Sequence, residues 1–230
     1  MSTPIPSIVA AMIDHTELHI DARYQDLTRT CLEAAKFSFA SVAVNPVHVH
    51  RCAVLLRDSG VKVDAAIGFP SGGFTIDNKV FETRDALARG ADEIDFVMNV
   101  AALKAGDLDY VRREMKALRA ATEGHVVKVI LETCLLTEAE KIAACQLAVE
   151  AGLDFVKTST GFSTGGATVD DVRLMTSVVK DAARVKASGG IRSAAQAQAM
   201  IEAGAVRLGT SAGVTIIEQL QASSDEGVRT

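Results

Sequence analysis

Two lysines and one aspartate are the residues of this chain best suited to chemistry on a carbonyl compound. Lys157 and Lys186 lie in two short runs rich in β-branched residues, and Asp95 lies in a third. Because side chains alternate along a strand, Val156 and Val185 are predicted to point outward and the two lysines inward. Burial and a neighbouring positive charge both disfavour an ammonium group, so the pKa of one lysine is expected to fall. A neutral lysine suits Schiff-base formation, and Asp95 is expected to move protons beside it.

Two glycine clusters predict a phosphate site. They are Ser188–Ser193 and Gly209–Gly213, which follow the seventh and eighth β-branched runs. Glycine lets the backbone approach an anion, and free N–H groups together with Thr and Ser hydroxyls donate to its oxygens. Arg192 and Arg207 are expected to add positive potential. The residues predicted to bind phosphate or substrate are Gly189, Gly190, Gly209, Thr210 and Ser211 in these clusters, with Asp14, Thr158 and Gly161 at or after the ends of other runs.

Repeated βα units must position these groups. The β-branched runs are Met12–Asp14, Ser41–Val44, Val63–Ile67, Glu93–Val97, Val126–Leu131, Asp154–Lys157, Arg184–Ala187 and Val206–Leu208. Between them lie segments with helical spacing, such as Asp109–Ala121, Glu138–Ala151 and Ala194–Ala203. Eight such units in 230 residues favour an α/β fold of the closed (β/α)8 TIM-barrel type. The active site of that fold lies at the C-terminal ends of the strands. We expect one domain over residues 1–221 and a flexible tail over residues 222–230.

The composition argues against several classes of protein. The chain carries 24 Lys+Arg against 29 Asp+Glu, and aromatic residues make up only 4%. An acidic, aromatic-poor chain is a poor candidate for nucleic-acid binding. No signal peptide and no apolar run of roughly 18 residues is present, so we expect no membrane partner and a cytoplasmic location. The cysteines are expected to be small buried hydrophobes rather than disulfides; they are Cys31, Cys52, Cys134 and Cys145.

Five motifs resemble those of the deoxyribose-phosphate aldolases, a family of class I aldolases. Their order agrees with that of the family from about Ile13 to Ile217, which is nearly the whole chain. The segment Phe155–Gly161, with the sequence F-V-K-T-S-T-G, is the most specific part of the likeness. The motifs are Gly90–Asp95, Lys128–Thr133, Asp154–Gly161, Val185–Arg192 and Arg207–Ser211.

The resemblance implies reversible cleavage of 2-deoxy-D-ribose 5-phosphate to D-glyceraldehyde 3-phosphate and acetaldehyde. It implies Lys157 as the Schiff-base nucleophile, Lys186 as the group that lowers its pKa, and Asp95 as their acid–base partner. It also implies small phosphorylated sugars and aldehydes as substrates, no cofactor, no metal, and a homo-oligomer (dimer or tetramer). Some family members end in a Tyr that assists proton exchange, whereas this chain has no aromatic residue after Phe162.

Other interpretations of the same residues stay open. Gly161–Gly165 matches the G-x-S-x-G nucleophile elbow, but the histidine that must follow it is absent from the sequence. His48 and His50 suggest a metal, although side chains two apart diverge on a helix. Lys128 is a rival nucleophile, for which a structural or electrostatic role is favoured because Glu132 shares its face. A transaldolase-like enzyme, a catalytically idle sugar-phosphate sensor and a purely structural lysine–aspartate pair complete the alternatives.

Overall fold

A closed barrel of parallel strands forms the centre of the molecule. The structure is a computed structural model that describes residues 5–227. Within that range eight strands are paired in sequence order, and the last pairs with the first. The (β/α)8 prediction is therefore confirmed. The strands are β1 Ile13–Glu17, β2 Ser41–Val44, β3 Lys62–Ile67, β4 Glu93–Val97, β5 Val126–Ile130, β6 Phe155–Lys157, β7 Arg184–Ser188 and β8 Ala205–Thr210.

Helices follow the strands and cover the outside of the barrel. Thr75, Thr137 and Thr168 each begin a helix by accepting a hydrogen bond from a backbone N–H in its first turn. None of the helices in the described range is both long and apolar enough to cross a membrane. The helices are α1 Pro6–Ala10, α2 Tyr24–Phe37, α3 Val49–Leu56, α4 Ile76–Ala88, α5 Val100–Lys104, α6 Leu108–Ala121, α7 Glu138–Glu150, α8 Val169–Val179, α9 Ala194–Glu202 and α10 Gly213–Gly227, with 3-10 segments at Pro46–His48 and Thr133–Leu135.

The two faces of each strand meet different surroundings. On β5, Val127 and Val129 are completely buried in the apolar core between the barrel and the helices. Lys128 lies between them in sequence and points into the barrel, where it contacts carboxylates. Val, Ile and Leu usually fill such an interior. The inward-facing charges of this barrel therefore require partners, and these partners define the site described below.

The last helix differs from the expected tail. α10 continues to Gly227, past the predicted domain boundary at residue 221. Its buried residues Ile216, Ile217 and Leu220 anchor it on the barrel, and a helix that has started extends at little further cost. Beyond Leu220, residues 221–223 of this helix are exposed. Residues 228–230 lie outside the described range.

One cysteine is not buried as predicted. Cys31, Cys52 and Cys145 are buried, and burial raises the pKa of the Cys145 thiol to about 12. Cys134 is exposed, because it lies in the Thr133–Leu135 segment that follows β5 rather than on the inner side of a helix. All four cysteines are free thiols.

Candidate active site

Lys157 lies at the C-terminal end of β6, and its side chain is almost completely buried. Its Nζ donates a hydrogen bond to Asp95 Oδ2 at 2.7 Å. In the ladder between β6 and β7, Lys157 is directly opposite Lys186, which brings two positive charges together. Burial and the charge of Lys186 together outweigh the attraction of Asp95 and lower the pKa of Lys157. The fraction of neutral amine at a given pH increases as a result.

Three carboxylates hold Lys186 as an ammonium ion. Its Nζ lies 2.5 Å from Asp14 Oδ2, 2.6 Å from Asp95 Oδ2 and 3.0 Å from Asp64 Oδ2. Burial acts to lower the pKa of Lys186, but the three carboxylates outweigh burial and raise that pKa above its usual value. Lys186 therefore stays charged beside Lys157.

Lys128 is a second buried cation. Its Nζ lies 2.7 Å from Asp95 Oδ1, 2.7 Å from Glu93 Oε2 and 3.0 Å from Asp64 Oδ2. Burial acts to lower the pKa of Lys128, but these carboxylates outweigh it and raise the pKa well above the usual range. An ammonium ion with no exposed surface is a poor nucleophile. The contacts favour an electrostatic role for Lys128.

Asp95 accepts hydrogen bonds from all three lysines. Its Oδ1 bonds to Lys128, and its Oδ2 bonds to both Lys157 and Lys186. Burial acts to raise the pKa of Asp95, but the three ammonium groups hold it well below its usual range. The structure thus brings together Asp95, Lys157 and Lys186, the three residues predicted to react.

Three residues predicted to lie near the substrate are placed elsewhere. Arg207 Nε donates to Asp14 Oδ1 at 2.9 Å, and another guanidinium nitrogen donates to Glu93 Oε2 at 2.9 Å. These contacts hold Arg207 and Asp14 inside the barrel, so neither lines the pocket. Thr158 is completely buried and donates to the carbonyl oxygen of Ser188, which ties β6 to β7. Interior charge pairing and strand pairing thus explain why these side chains do not line the pocket.

Asp64 and Glu93 complete the interior, and no role was predicted for either. They are opposite each other in the ladder between β3 and β4. On β3, Val63 and Ile67 belong to the outer apolar core, so the alternation that places Asp95 inward also places Asp64 inward. That alternation is the signal that identifies Asp64. We call the connected groups the charge cluster: Asp14, Asp64, Glu93, Asp95, Lys128, Lys157, Lys186 and Arg207.

The carboxylates of Asp14, Asp64 and Glu93 are close enough to suggest a metal site. Their oxygens lie within 4.8 Å of one another. Lys186 and Lys128 donate to Asp64, and Arg207 donates to both Asp14 and Glu93. Ammonium and guanidinium groups therefore already occupy the positions where a cation would be bound. This donor set suits internal ion pairs better than a metal ion.

A pocket of about 180 Å³ opens at the C-terminal mouth of the barrel, and Lys157 lines it. The glycine clusters form much of its wall, together with Arg192. The chain passes from Ser211 into the N-terminus of α10, where the helix dipole favours an anion. The predicted binding residues that line the pocket are Gly161, Gly189, Gly190, Gly209, Thr210 and Ser211.

One wall of the pocket requires glycine at two positions. Gly189 has a φ of +90°, and a Cβ at this position would lie 2.9 Å from the Cα of Gly166. A Cβ on Gly166 would lie only 2.2 Å from the carbonyl oxygen of Gly189. That carbonyl accepts a hydrogen bond from the N–H of Ala167 at 3.0 Å. The loop after β6 therefore packs backbone to backbone on the loop after β7.

Aromatic side chains border the pocket, and these were not predicted. Phe162 and His19 line it with Leu18. The Phe162 ring lies 5.2 Å from that of Phe69 and 6.0 Å from that of His19, measured between centroids. Loops after β1, β3 and β6 meet at this border. A contact between loops distant in sequence leaves no pattern that sequence reasoning could use.

The rival motifs do not assemble a second site. Ser163 of the G-x-S-x-G motif has its Oγ 3.5 Å from Cys134 Sγ, and no histidine bonds to it within residues 5–227. His48 and His50 belong to no group of potential metal ligands in that same range.

The fold and the site together define a barrel enzyme that performs carbonyl chemistry with a lysine. Residues 8–219 match the family model described as DeoC/LacD family aldolase. The chain therefore belongs to this family of aldolases, and the resemblance predicted from its motifs is confirmed.

Named relatives agree with the family assignment. The chain is 57% identical over 205 residues to a deoxyribose-phosphate aldolase of Brevibacillus brevis, covering 89% of this chain and 93% of the relative. It is 55% identical over 206 residues to one of Bdellovibrio bacteriovorus, covering 90% and 94%. The solved structure of the deoxyribose phosphate aldolase from Aeropyrum pernix matches with a TM-score of 0.89 at 34% identity, covering 95% of this chain and 93% of that one.

Proposed function

We propose that this chain catalyses the reversible aldol cleavage of 2-deoxy-D-ribose 5-phosphate through a Schiff base on Lys157. The products are D-glyceraldehyde 3-phosphate and acetaldehyde. The observation that carries the proposal is the placement of Lys157, which lines the glycine-walled pocket and lies directly opposite Lys186. The substrate is inferred from relatives that are named deoxyribose-phosphate aldolases.

The phosphate of the sugar is proposed to lie against the glycine clusters. Gly189, Gly190 and Gly209 leave the backbone accessible, and Ser211 provides a hydroxyl group beside them. The Thr210 hydroxyl donates to the carbonyl oxygen of Ile191 at 2.6 Å, so Thr210 shapes this wall rather than donating to the phosphate. Arg192 adds positive charge to this wall, and the N-terminus of α10 adds its dipole. Anchoring at this end holds the C1 aldehyde of the open-chain sugar near Lys157, which makes the attack effectively intramolecular.

Lys157 forms the covalent intermediate. Its neutral Nζ attacks C1, the carbonyl oxygen takes up protons and leaves as water, and an iminium ion remains. The proton of the C3 hydroxyl then leaves, a C3 carbonyl forms, and the C2–C3 electron pair moves toward the iminium nitrogen. D-Glyceraldehyde 3-phosphate departs and an enamine stays on Lys157. Protonation at C2 and hydrolysis release acetaldehyde and restore the amine.

The neighbours of Lys157 control its charge and move protons. Lys186 stays an ammonium ion and favours the neutral amine of Lys157, because two adjacent positive charges repel. Asp95 contacts Lys157 directly and is 1% exposed, so its exchange with the substrate hydroxyl is proposed to pass through water. The iminium serves as the electron sink. In metal-dependent aldolases the bound metal ion performs this task.

Trapping the Schiff base tests the assignment of Lys157. The protein is incubated with acetaldehyde and borohydride, and the reduced adduct is mapped by mass spectrometry. We expect a single adduct on Lys157, and an adduct on Lys128 or none at all would contradict the proposal. Lys157→Leu should abolish cleavage of deoxyribose 5-phosphate with an unchanged circular dichroism spectrum. Lys116→Leu, at an exposed position on α6, is the matched control and should keep full activity.

The chain is also proposed to act as a homo-oligomer, either a dimer or a tetramer. The deoxyribose phosphate aldolase from Aeropyrum pernix, which covers 95% of this chain, forms a tetramer. Light scattering of the purified protein would measure the mass in solution, and a monomer at micromolar concentration would contradict this part of the proposal.

A further inference from the structure

Asp64 is a buried carboxylate for which the proposed reaction does not yet give a role. It is completely buried, and its Oδ2 accepts hydrogen bonds from Lys128 and Lys186, both at 3.0 Å. Its Oδ1 has no hydrogen-bond partner within the described residues. A buried anion with one oxygen left without a donor is poorly stabilised. In Asp95, by contrast, both carboxylate oxygens accept hydrogen bonds, which stabilise the ionised form. The neutral, protonated form is therefore more favourable for Asp64 than for Asp95.

A continuous hydrogen-bond chain joins Lys157 to Asp64. Lys157 Nζ donates to Asp95 Oδ2 at 2.7 Å, Lys186 Nζ donates to the same oxygen at 2.6 Å, and Lys186 Nζ also donates to Asp64 Oδ2 at 3.0 Å. Lys128 forms a second connection between Asp95 and Asp64. A proton can therefore be passed along the chain without entering solvent.

The charge cluster is balanced when every member is ionised. It holds four carboxylates, those of Asp14, Asp64, Glu93 and Asp95, against three lysines and Arg207. A neutral Lys157, which nucleophilic attack requires, leaves one negative charge in excess. An unbalanced charge inside a barrel of low dielectric is costly. One carboxylate must take up a proton to restore the balance.

We propose that Asp64 stores the proton that Lys157 gives up when it becomes a nucleophile, an inference that rests on the proposed function. Asp95 takes a proton from Lys157 Nζ and passes one to Lys186, which gives one to Asp64 Oδ2. One N–H bond is lost at Lys157 and one O–H bond is gained at Asp64, while Asp95 and Lys186 regain their starting states. Asp64 does not contact the substrate. It acts through Lys186 and Asp95 and is therefore a positioning residue, not a catalytic one.

The stored proton is needed again when the iminium forms. Loss of water from the carbinolamine requires one proton, which Asp64 returns along the same chain. The iminium then carries a positive charge at Nζ, and Asp64 is again an anion. The charge cluster therefore keeps zero net charge before, during and after formation of the Schiff base, so no step leaves an unpaired charge in the barrel.

The groups around Asp64 agree with this role. Facing it are Asp14 from β1, Asp95 and Glu93 from β4, Lys128 from β5 and Lys186 from β7. Burial, followed by the charge of Asp95, raises the pKa of Asp64 to about 6. The pKa of Asp14 and that of Asp95 are both lowered, because nearby lysines outweigh burial there. The pKa of Lys157 moves down while that of Asp64 moves up, so the two values converge.

Infrared difference spectroscopy on protein labelled with 13C at aspartate carboxyls tests the proposal. At pH 6, where about half of the Asp64 carboxyls are protonated, we expect one protonated aspartate band in the free enzyme, and its loss when acetaldehyde forms the Schiff base. Asp64→Asn should remove the band, and the exposed control Asp58→Asn should keep it. Absence of the band from the parent protein, or its persistence in the Asp64 variant, would overturn the proposal.

Proton uptake supplies a second readout that a structural role would not change. Asparagine imitates the neutral form of Asp64, so Asp64→Asn should still be trapped at Lys157 by acetaldehyde and borohydride. It should take up one proton from a weakly buffered indicator solution for each Schiff base formed, whereas the parent protein takes up none. Zero uptake by the variant would count against the proposal. If Asp64→Asn does not fold, Asp64→Glu, whose carboxyl is not labelled, should remove the 13C band in the same way, and persistence of that band would overturn the proposal.

The two proposals can fail separately. An adduct that maps away from Lys157 would remove the proposed function and the role of Asp64 with it. An adduct on Lys157 without loss of a carboxyl band would leave the aldolase proposal intact and refute only the role of Asp64.

Discussion

Replacement of Lys186 by methionine should make Lys157 less reactive at neutral pH, although Lys157 itself is unchanged. Both ammonium groups donate to Asp95 Oδ2, at 2.6 and 2.7 Å, so their nitrogens lie no more than about 5.3 Å apart. Two unit charges at about 5 Å repel by roughly 3 kcal/mol at an effective dielectric of about 20. That repulsion corresponds to about two pKa units. Without it, the pKa of Lys157 should rise.

The loss of Lys186 also leaves four carboxylates to be balanced by three cations. Protonation of Asp64 offsets part of this excess, so we expect the pKa of Lys157 to rise by about one to two units. Borohydride trapping by acetaldehyde at neutral pH should fall about 10- to 100-fold and should recover as the pH is raised. The rate is measured by intact mass across a pH series.

The variant needs controls because a buried ion pair is broken. Removing one partner of such a pair costs about 3–5 kcal/mol, so thermal unfolding must show that Lys186→Met is still folded. Lys186→Arg keeps the charge and should keep the pH profile, and Lys116→Met makes the same chemical change at an exposed position. A folded Lys186→Met protein with the parent pH profile would refute the electrostatic argument.

Three further predictions concern the pocket wall and the charge cluster. Lys128→Met should lower the free energy of unfolding by about 3–5 kcal/mol, because three buried carboxylates lose a shared cation. Urea titrations measure this free energy, and a loss below about 1 kcal/mol would contradict the prediction. Gly189→Ala should raise KM for deoxyribose 5-phosphate much more than for unphosphorylated deoxyribose, since its Cβ would lie 2.9 Å from Gly166; equal effects would place the phosphate elsewhere. The folded pKa of Asp64, raised by burial to about 6, exceeds its unfolded value of 3.8. Its contribution to stability should therefore fall as pH rises from about 4 to about 6, by roughly 3 kcal/mol relative to Asp64→Asn, in pH-dependent urea titrations; parallel pH profiles for the two proteins would contradict this.

Strand alternation was enough to place the reacting residues. Val185 is buried against the helices, so Lys186 must face the barrel interior. The same alternation rule identifies Asp64, whose neighbours Val63 and Ala65 belong to the outer core. The glycine clusters likewise follow strands whose C-terminal ends meet at one mouth. These features were readable from the sequence because they depend on a period of two and on a repeated βα unit.

Partner choice inside the barrel depended on the tertiary structure. Arg207 and Asp14 were expected near the substrate, but ring closure brings β8 beside β1 and joins them as an ion pair. The border of Phe69, Phe162 and His19 arises because loops distant in sequence meet in space. The sequence by itself determined which groups face inward, since that follows from local alternation. Only the closed barrel decided which charges pair, because pairing depends on distances across the barrel that no local pattern records.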